Sequence, residues 1–322
     1  MQDFHELVRL CQGHTTYIQT HNFPDPDAFA SAYGLQNLLN EFGIHTKICY
    51  EGKVNKLSTQ KMLHALEIEI FSYDEIRAVL SKDDYIICVD SQKNSGNITD
   101  FIGEEVACID HHPTFVQVDY KYKDIQPTGA CATILADYYQ QLGIVPSSYV
   151  ATALIYGIKM DTLQFSRGVT RKDIEMYAFL FDYANKDLIS DLERNNMEFN
   201  DLKAYGTAIE NIKIYGFTGF SYIPYDCPDA MIAMISDFIL SLVEVEVAVI
   251  YSRRPDGLKF SVRSERSDVP AGIFVHKALE GLGTGGGHAT MAGGHIQTND
   301  LPKLGNFPDD FLRERFLAAL ER

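Results

Sequence analysis

The sequence predicts an α/β protein in two parts: an N-terminal parallel sheet with helices on both faces, and a smaller C-terminal α/β unit across a cleft. Three observations lead there. The chain has 322 residues, which suggests about two domains, and 46% of them are hydrophobic, so each domain can bury a core. The first half alternates short apolar runs with amphipathic stretches, as a sheet covered by helices requires. A charged, helix-prone connector at residues 186–212 then separates it from a second series of strands and helices.

The elements follow in order. Tyr17–Gln19 reads as a strand, Asp27–Phe42 as a helix and Ile44–Tyr50 as the next strand. Asp84–Val89 (DYIICV) and Glu105–Ile109 (EVACI) are nearly continuous apolar runs, as expected of strands buried on both faces. Helices at Ala130–Leu142, Ser148–Met160 and Lys172–Asn185 complete a first domain over residues 1–185. The second domain, residues 213–322, has strands at Ile214–Ile223, Val245–Tyr251 and Leu258–Arg263, the last entered through a Pro255-Asp256-Gly257 turn. Its helices are expected at Ala230–Leu242, Ala271–Leu279 and Asp309–Leu320.

Composition narrows the function classes. A formal charge of −16 argues against sequence-independent binding of long nucleic acid, which draws on many Lys and Arg contacts to phosphate. Clustered aspartates point instead to bound cations or to a solvated surface. Asp237, Glu244 and Glu246 interrupt the apolar stretch Ala230–Tyr251, so it lacks the roughly 20 uncharged residues a bilayer crossing needs. The opening MQDFHELVRL has no secretory pattern, and a cytoplasmic location is expected. The six cysteines form no CxxC pair, which speaks against a disulfide framework or a thiolate zinc site.

Several acids and histidines stand where parallel sheets bind ligands. The buried runs end on Asp90 (ICVD) and Asp110 (ACID), and ligands bind beyond the carboxyl ends of such strands. Either acid could instead cap a helix. The first strand runs into HNFPDPD, which puts His21, Asp25 and Asp27 on a short loop opening a helix. One N-cap explains one aspartate there, but not the histidine and the second acid. Asp110 is followed by His111 and His112. Adjacent histidines point to different sides, so one can ligate a metal while the other faces a substrate. Asp161 ends an apolar helical stretch, where an acid opposes the macrodipole and wants a positive partner.

In succession, HxxxDxD, the strand-end Asp, DHH and the helix-end DT resemble the four motifs of the DHH superfamily of phosphoesterases, over His21 to Asp161. The resemblance implies one metal held by His21, Asp25 and Asp90 and a second held by Asp27, Asp90, His111 and Asp161, with Asp90 bridging. Two divalent cations are therefore expected, and oxygen and imidazole donors without sulfur suit manganese. Asp110 would orient a histidine through its ring N–H. His112 would hold a phosphoryl oxygen or protonate the leaving group. Pro26 departs from the family's more usual glycine and would stiffen the loop.

The second domain adds two patterns. Seven glycines lie between Gly281 and Gly294, and Gly285, Gly286 and Gly287 run into His288. Glycines at this density let backbone N–H groups approach an anion, though a flexible loop reads the same way. LKFSVRSE alternates, with Lys259, Ser261 and Arg263 on the face opposite Leu258, Phe260 and Val262. Together SVRS and GGGH resemble the DHHA1 domain, which implies substrate contacts from Arg263, Ser261 and Gly285–His288. The pairing resembles the nanoRNase and 3′-phosphoadenosine-5′-phosphate phosphatase group. Short oligonucleotides such as pApA, or small nucleotides, are then the expected partners, with a homodimer left open. The rivals are a pyrophosphatase or polyphosphatase, a cyclic-dinucleotide phosphodiesterase, and a non-catalytic nucleotide- or RNA-binding protein.

Overall fold

The computed structural model describes residues 3–54, 56–194, 197–199 and 201–320. Contacts divide the chain into two compact units, residues 1–196 and 197–322.

The first unit runs α1 (Phe4–Cys11), β1 (Thr16–Gln19), α2 (Pro26–Glu41), β2 (Thr46–Tyr50), α3 (Leu57–Ala65), β3 (Ile70–Ser72), α4 (Tyr73–Ile76), β4 (Tyr85–Val89), β5 (Glu104–Asp110), β6 (Tyr122–Ile125), α5 (Cys131–Leu142), α6 (Ser148–Asp161), α7 (Arg171–Phe181) and α8 (Lys186–Glu193). Its six strands pair in parallel in the order β3-β2-β1-β4-β5-β6. Strand alternation sends Ile18, Ile48, Ile87, Val89 and Ile109 into a large core shared with α1, α2, α5 and α6. Tyr17, Cys49, Ile86, Cys88 and Cys108 point the other way, where α4, Leu80 and Phe101 form a thinner cover. All six cysteines of the chain are buried free thiols.

The helical stretch expected over 172–185 ends earlier, at Phe181. Asn185 then opens α8 by accepting from Leu188 N at 3.0 Å, an N-cap that starts a new helix. The connector expected over 186–212 likewise divides. Helix α8 buries Ile189 and Leu192 in the first core, whereas α9 (Asp201–Asn211) buries Ala204 and Ala208 in the second unit.

After α9 the second unit continues with β7 (Lys213–Tyr215), β8 (Thr218–Ile223), α10 (Asp229–Leu240), β9 (Val247–Arg254), β10 (Gly257–Ser264), α11 (Ala271–Leu279), β11 (Thr284–Gly287), β12 (Met291–Gln297), a 3-10 turn at Thr298–Leu304 and α12 (Pro308–Leu320). Its mixed sheet has the order β11-β12-β10-β9-β8-β7. The single strand expected over Ile214–Ile223 is an antiparallel pair, because Gly216 takes φ +59° and reverses the chain. Among the described residues no helix is long and apolar enough to cross a membrane.

Candidate metal centre

Strands β1 and β4 are neighbours at the middle of the first sheet, and the connections after them run to opposite sides. This is the switch point at which open parallel sheets bind ligands. His21 follows β1, Asp90 follows β4 and Asp110 ends β5 at the same edge. Asp90 has φ +57°, a left-handed conformation that Asp tolerates better than most residues. Its backbone N–H donates to Ile109 O at 3.0 Å, which fixes the turn.

The site residues gather around Asp90. His21, Asp25 and Asp90 form one group whose donor atoms lie within 4.8 Å of one another, and Asp27, His111 and Asp161 form another. Asp90 faces both, with Oδ2 3.6 Å from His21 Nε2 and Oδ1 3.4 Å from His111 Nε2. Asp161 Oδ2 lies 3.3 Å from the same His111 nitrogen. A third grouping joins Asp90, Asp110, His111 and His112, but the Asp110 carboxylate is already engaged. Its Oδ1 accepts from His111 N and His112 Nδ1, both at 2.8 Å, and its Oδ2 accepts from Gln92 Nε2 at 2.7 Å.

Hydrogen bonds set which nitrogens face the centre. A carbonyl can only accept, so His21 Nδ1–H donates to Asn22 O at 2.8 Å and His111 Nδ1–H donates to Thr128 O at 3.0 Å. Each ring therefore presents a bare Nε2 when neutral, the form a metal takes. Asp25 is both a group member and the N-cap of α2, with Oδ1 accepting from Asp27 N at 3.1 Å and Ala28 N at 3.2 Å. One aspartate thus caps the helix and stands in the cluster. Asp27 accepts from Cys131 N at 2.7 Å and Ala132 N at 3.0 Å, so the first turn of α5 anchors it and supplies the favourable end of a helix dipole.

The electrostatics call for cations. Burial pushes the Asp27 carboxyl well above its usual range, and the charges of Asp90 and Asp161 push it further. Burial, with Asp25 and Asp90, raises Asp161 to about 6. Burial opposes a charged His21, yet Asp25 and Asp90 prevail and hold it at about 9. The same contest, with Asp90, Asp27 and Asp161 prevailing, raises His111 to about 11. Burial works against the Asp110 charge, but His112 and Gln92 keep its carboxyl low. Asp90 Oδ1 is buried without a hydrogen-bond partner, an arrangement native interiors rarely leave unexplained. A buried orphan oxygen, crowded carboxylates and two bare imidazole nitrogens fit divalent metal ions.

Two contributors are not visible as motif residues. Gln92, two positions after Asp90, donates to both Asp110 Oδ2 and, at 3.0 Å, His112 O. Gly157 lies four residues before Asp161, on the same face of α6. A Cβ there would sit 3.0 Å from Asp27 Oδ1 and Ala30 Cβ and 3.2 Å from Ala132 Cβ, so the glycine lets α6 reach the centre. The helix-end aspartate was the available signal for that face.

The second-unit residues sit differently from expectation. The β10 face carrying Lys259, Ser261 and Arg263 is not open but turns toward α10. Lys259 pairs with Asp229 at 3.3 Å, and Arg263 Nε pairs with Asp237 Oδ1 at 2.6 Å. The Arg263 side chain is 12% exposed, and its Nη1 donates to Ser261 Oγ at 3.2 Å. Gly285, Gly286 and Gly287 form a strand against β12 rather than a loop. Glycine density there also serves packing: a Cβ at Gly272 in α11 would meet Gly287 O at 2.3 Å. His288 follows the strand, with its N–H donating to Met291 O at 2.7 Å and its carbonyl accepting from Gly272 N at 2.9 Å.

Residues 15–158 match the DHH family, N-terminal domain, and residues 218–314 match the DHHA1 domain. The chain is a DHH–DHHA1 protein. Among similar proteins, an uncharacterized protein of Methanocaldococcus jannaschii is 29% identical over 94% of this chain, which spans 63% of that protein's length. The bifunctional oligoribonuclease and PAP phosphatase NrnA of Thermus thermophilus is 26% identical over 98% of this chain and 94% of its own. A probable manganese-dependent inorganic pyrophosphatase of Bacillus mycoides is 29% identical over 52% of this chain and 54% of its own. The DHH–DHHA1 fold recurs in the crystal structure of an exopolyphosphatase-related protein from Bacteroides fragilis, with a TM-score of 0.80, 19% identity, and coverage of 99% of this chain and 94% of that one.

Proposed function

We propose that the protein is a manganese-dependent phosphoesterase that hydrolyses short oligonucleotides such as pApA, the 3′-phosphate of 3′-phosphoadenosine-5′-phosphate, or both. The observation that carries the reading is Asp90, whose two oxygens address two separate ligand groups. Two divalent cations held there would supply a water of lowered pKa and neutralise charge developing on the phosphoryl oxygens. His21, Asp25 and Asp90 would hold one, and Asp27, Asp90, His111 and Asp161 the other.

The remaining roles belong to the protein's own groups. Asp110 holds His112 through Nδ1, which leaves Nε2 of a 40% exposed side chain for the substrate. Burial opposes the charged ring, but Asp110 and Asp90 raise its pKa, suiting it to give a proton to the leaving oxygen. Gln92 keeps Asp110 in register. Arg263, Ser261 and Gly285–His288 are assigned to substrate contact on the resemblance of SVRS and GGGH; for Arg263 this requires exchanging Asp237 for phosphate.

Similarity supports nucleotides over pyrophosphate, since the match to the Thermus oligoribonuclease and PAP phosphatase runs nearly end to end while that to the pyrophosphatases covers about half of the chain. Pyrophosphate hydrolysis is the second reading, favoured by that shared half. A non-catalytic binding protein would have no use for a complete double ligand set. The test is product analysis with manganese on pApA, 3′-phosphoadenosine-5′-phosphate, RNA from two to about 24 nucleotides, an intact cyclic dinucleotide and pyrophosphate. Turnover of pyrophosphate with none of the nucleotides would overturn the proposal.

A further inference from the structure

Phe23 lies midway between His21 and Asp25 in the metal loop, and the residue is 61% exposed. Its backbone takes φ +54°, a conformation that is uncommon for any residue with a Cβ and an outlier for a bulky one. Such an arrangement persists only where neighbours impose it, and here they do. Asn22 N donates to Asn97 O at 2.7 Å, and the Asn22 side chain exchanges two hydrogen bonds with Thr99, at 3.0 and 3.1 Å. On the other side Phe23 N donates to Glu51 O at 3.1 Å.

The ring has a seat. A Cβ at Gly52 would come within 3.0 Å of Phe23 Cδ1 and Cε1, so the ring rests directly on the Gly52 backbone. Any side chain at position 52 would displace it. One part of the ring is thus supported while most of its surface faces solvent. Lys56 brings Nζ to 4.0 Å from Asp25 Oδ2, so Glu51, Gly52 and Lys56 all stand against the metal loop, and Lys56 adds a cation there. Two residues of chain span at most about 7 Å, a separation that a nucleoside covers between its phosphate and its base.

We infer that Phe23 is a stacking platform for a nucleobase of the substrate whose phosphate lies at the metal centre. The inference rests on the nucleotide reading above and adds a specificity residue to it. An aromatic face accepts any base, because every base has a π-face, so the platform selects nucleotides over bare phosphates without selecting a sequence. The imposed backbone keeps the ring from collapsing onto apolar neighbours and leaves it ready for a base.

The test uses two readouts. The first is kcat/KM for pApA relative to an analogue whose 5′ ribose carries no base, measured in the wild type, Phe23→Ala, Phe23→Asn and Phe23→Trp. Phe23→Asn removes the ring while suiting a left-handed backbone, so it guards against a loop distorted by Phe23→Ala; metal content per chain is measured alongside. The ratio is expected to fall about 10-fold in Phe23→Ala and Phe23→Asn, mainly through KM, and to survive in Phe23→Trp. The second readout exploits a sequence with no tryptophan. The single indole of Phe23→Trp should be quenched saturably by adenosine 5′-monophosphate and not by ribose 5-phosphate. A wild type that ignores the missing base overturns the nucleotide reading and the platform together. A wild type that prefers the base, with the ratio unchanged in both ring-less variants or with equal responses to the two ligands, overturns the platform alone.

Discussion

Gly34 and Gly157 offer a matched pair of perturbations at the contact between α2 and α6. Alanine at either buried position gains up to about 1 kcal/mol of helix propensity and meets overpacking of about 1–3 kcal/mol. At Gly34 the three atoms nearest the new methyl all belong to Leu154, with Cδ2 at 3.0 Å and Cδ1 and Cγ at 3.5 Å, and a leucine side chain can turn aside. At Gly157 it would press on Asp27 Oδ1 and Ala30 Cβ at 3.0 Å and Ala132 Cβ at 3.2 Å. Neither alanine methyl can move without its helix, so the Asp27 carboxylate must give by a few tenths of an ångström. Metal ligation tolerates about 0.2 Å, and disturbing the groups around a ligand typically weakens binding 10- to 100-fold. Both variants should therefore lose only about 0–2 kcal/mol of stability, while Gly157→Ala alone binds manganese at least ~10-fold more weakly. Calorimetric titration of metal-stripped protein, with thermal unfolding alongside, measures both quantities. Equal manganese affinity in the two variants would refute the idea that Gly157 spaces α6 for the centre.

Asp90→Asn keeps a residue suited to the left-handed backbone but removes the carboxylate shared by the two groups; turnover should drop at least ~100-fold with the fold retained. Two metals per chain together with undiminished turnover would contradict this. His111→Ala should lower metal content, whereas His112→Ala should leave it nearly intact and depress the chemical step; equal metal loss in both would end the division of roles. Metal affinity should rise with pH. The metal-free His21 pKa of about 9 and the His111 pKa of about 11 lie above the usual imidazole value, so at neutral pH a proton must leave before Nε2 can ligate. Apparent affinity therefore climbs from pH 6 through 9, with proton release measurable in buffers of different ionisation enthalpy. Affinity independent of pH over that range would refute the assignment.

The first sheet was legible because YIICV and EVACI are continuous apolar runs ending in acids, and parallel strands buried on both faces leave that trace. The six residues that gather at Asp90 were legible because each stands where an apolar element meets a loop. Shorter pieces left weaker traces. β3 spans three residues and α4 four, too few for any periodicity to emerge. β6 (YKDI) carries charge because Asp124 is satisfied inside by Tyr138 Oη, which donates at 2.7 Å. The openness expected of the Arg263 face failed for a different reason. Alternation identifies the face of a strand but not its cover, and nothing in LKFSVRS announces that Asp237, far away in sequence, will meet the guanidinium. The glycine run carries two readings at once, since close approach of helix to strand and close approach of an anion demand the same missing side chain.

The crowding of acids around Asp90 reaches beyond catalysis. Asp27 and Asp161 have carboxyls raised by folding, so each adds stability at low pH that is lost as pH climbs through its folded-state value. For Asp161 that value is about 6, and at neutral pH its penalty is essentially complete. In the metal-free first unit the charged rings of His21 and His111 oppose this penalty at neutral pH, since their raised pKa values record attraction to the same carboxylates. Cations that bind only the folded form tilt the balance back in proportion to their free concentration. Scarcity of the metal would then act on how many folded copies persist against proteolysis as well as on how fast each one works, tying the protein's abundance to the ionic supply around it.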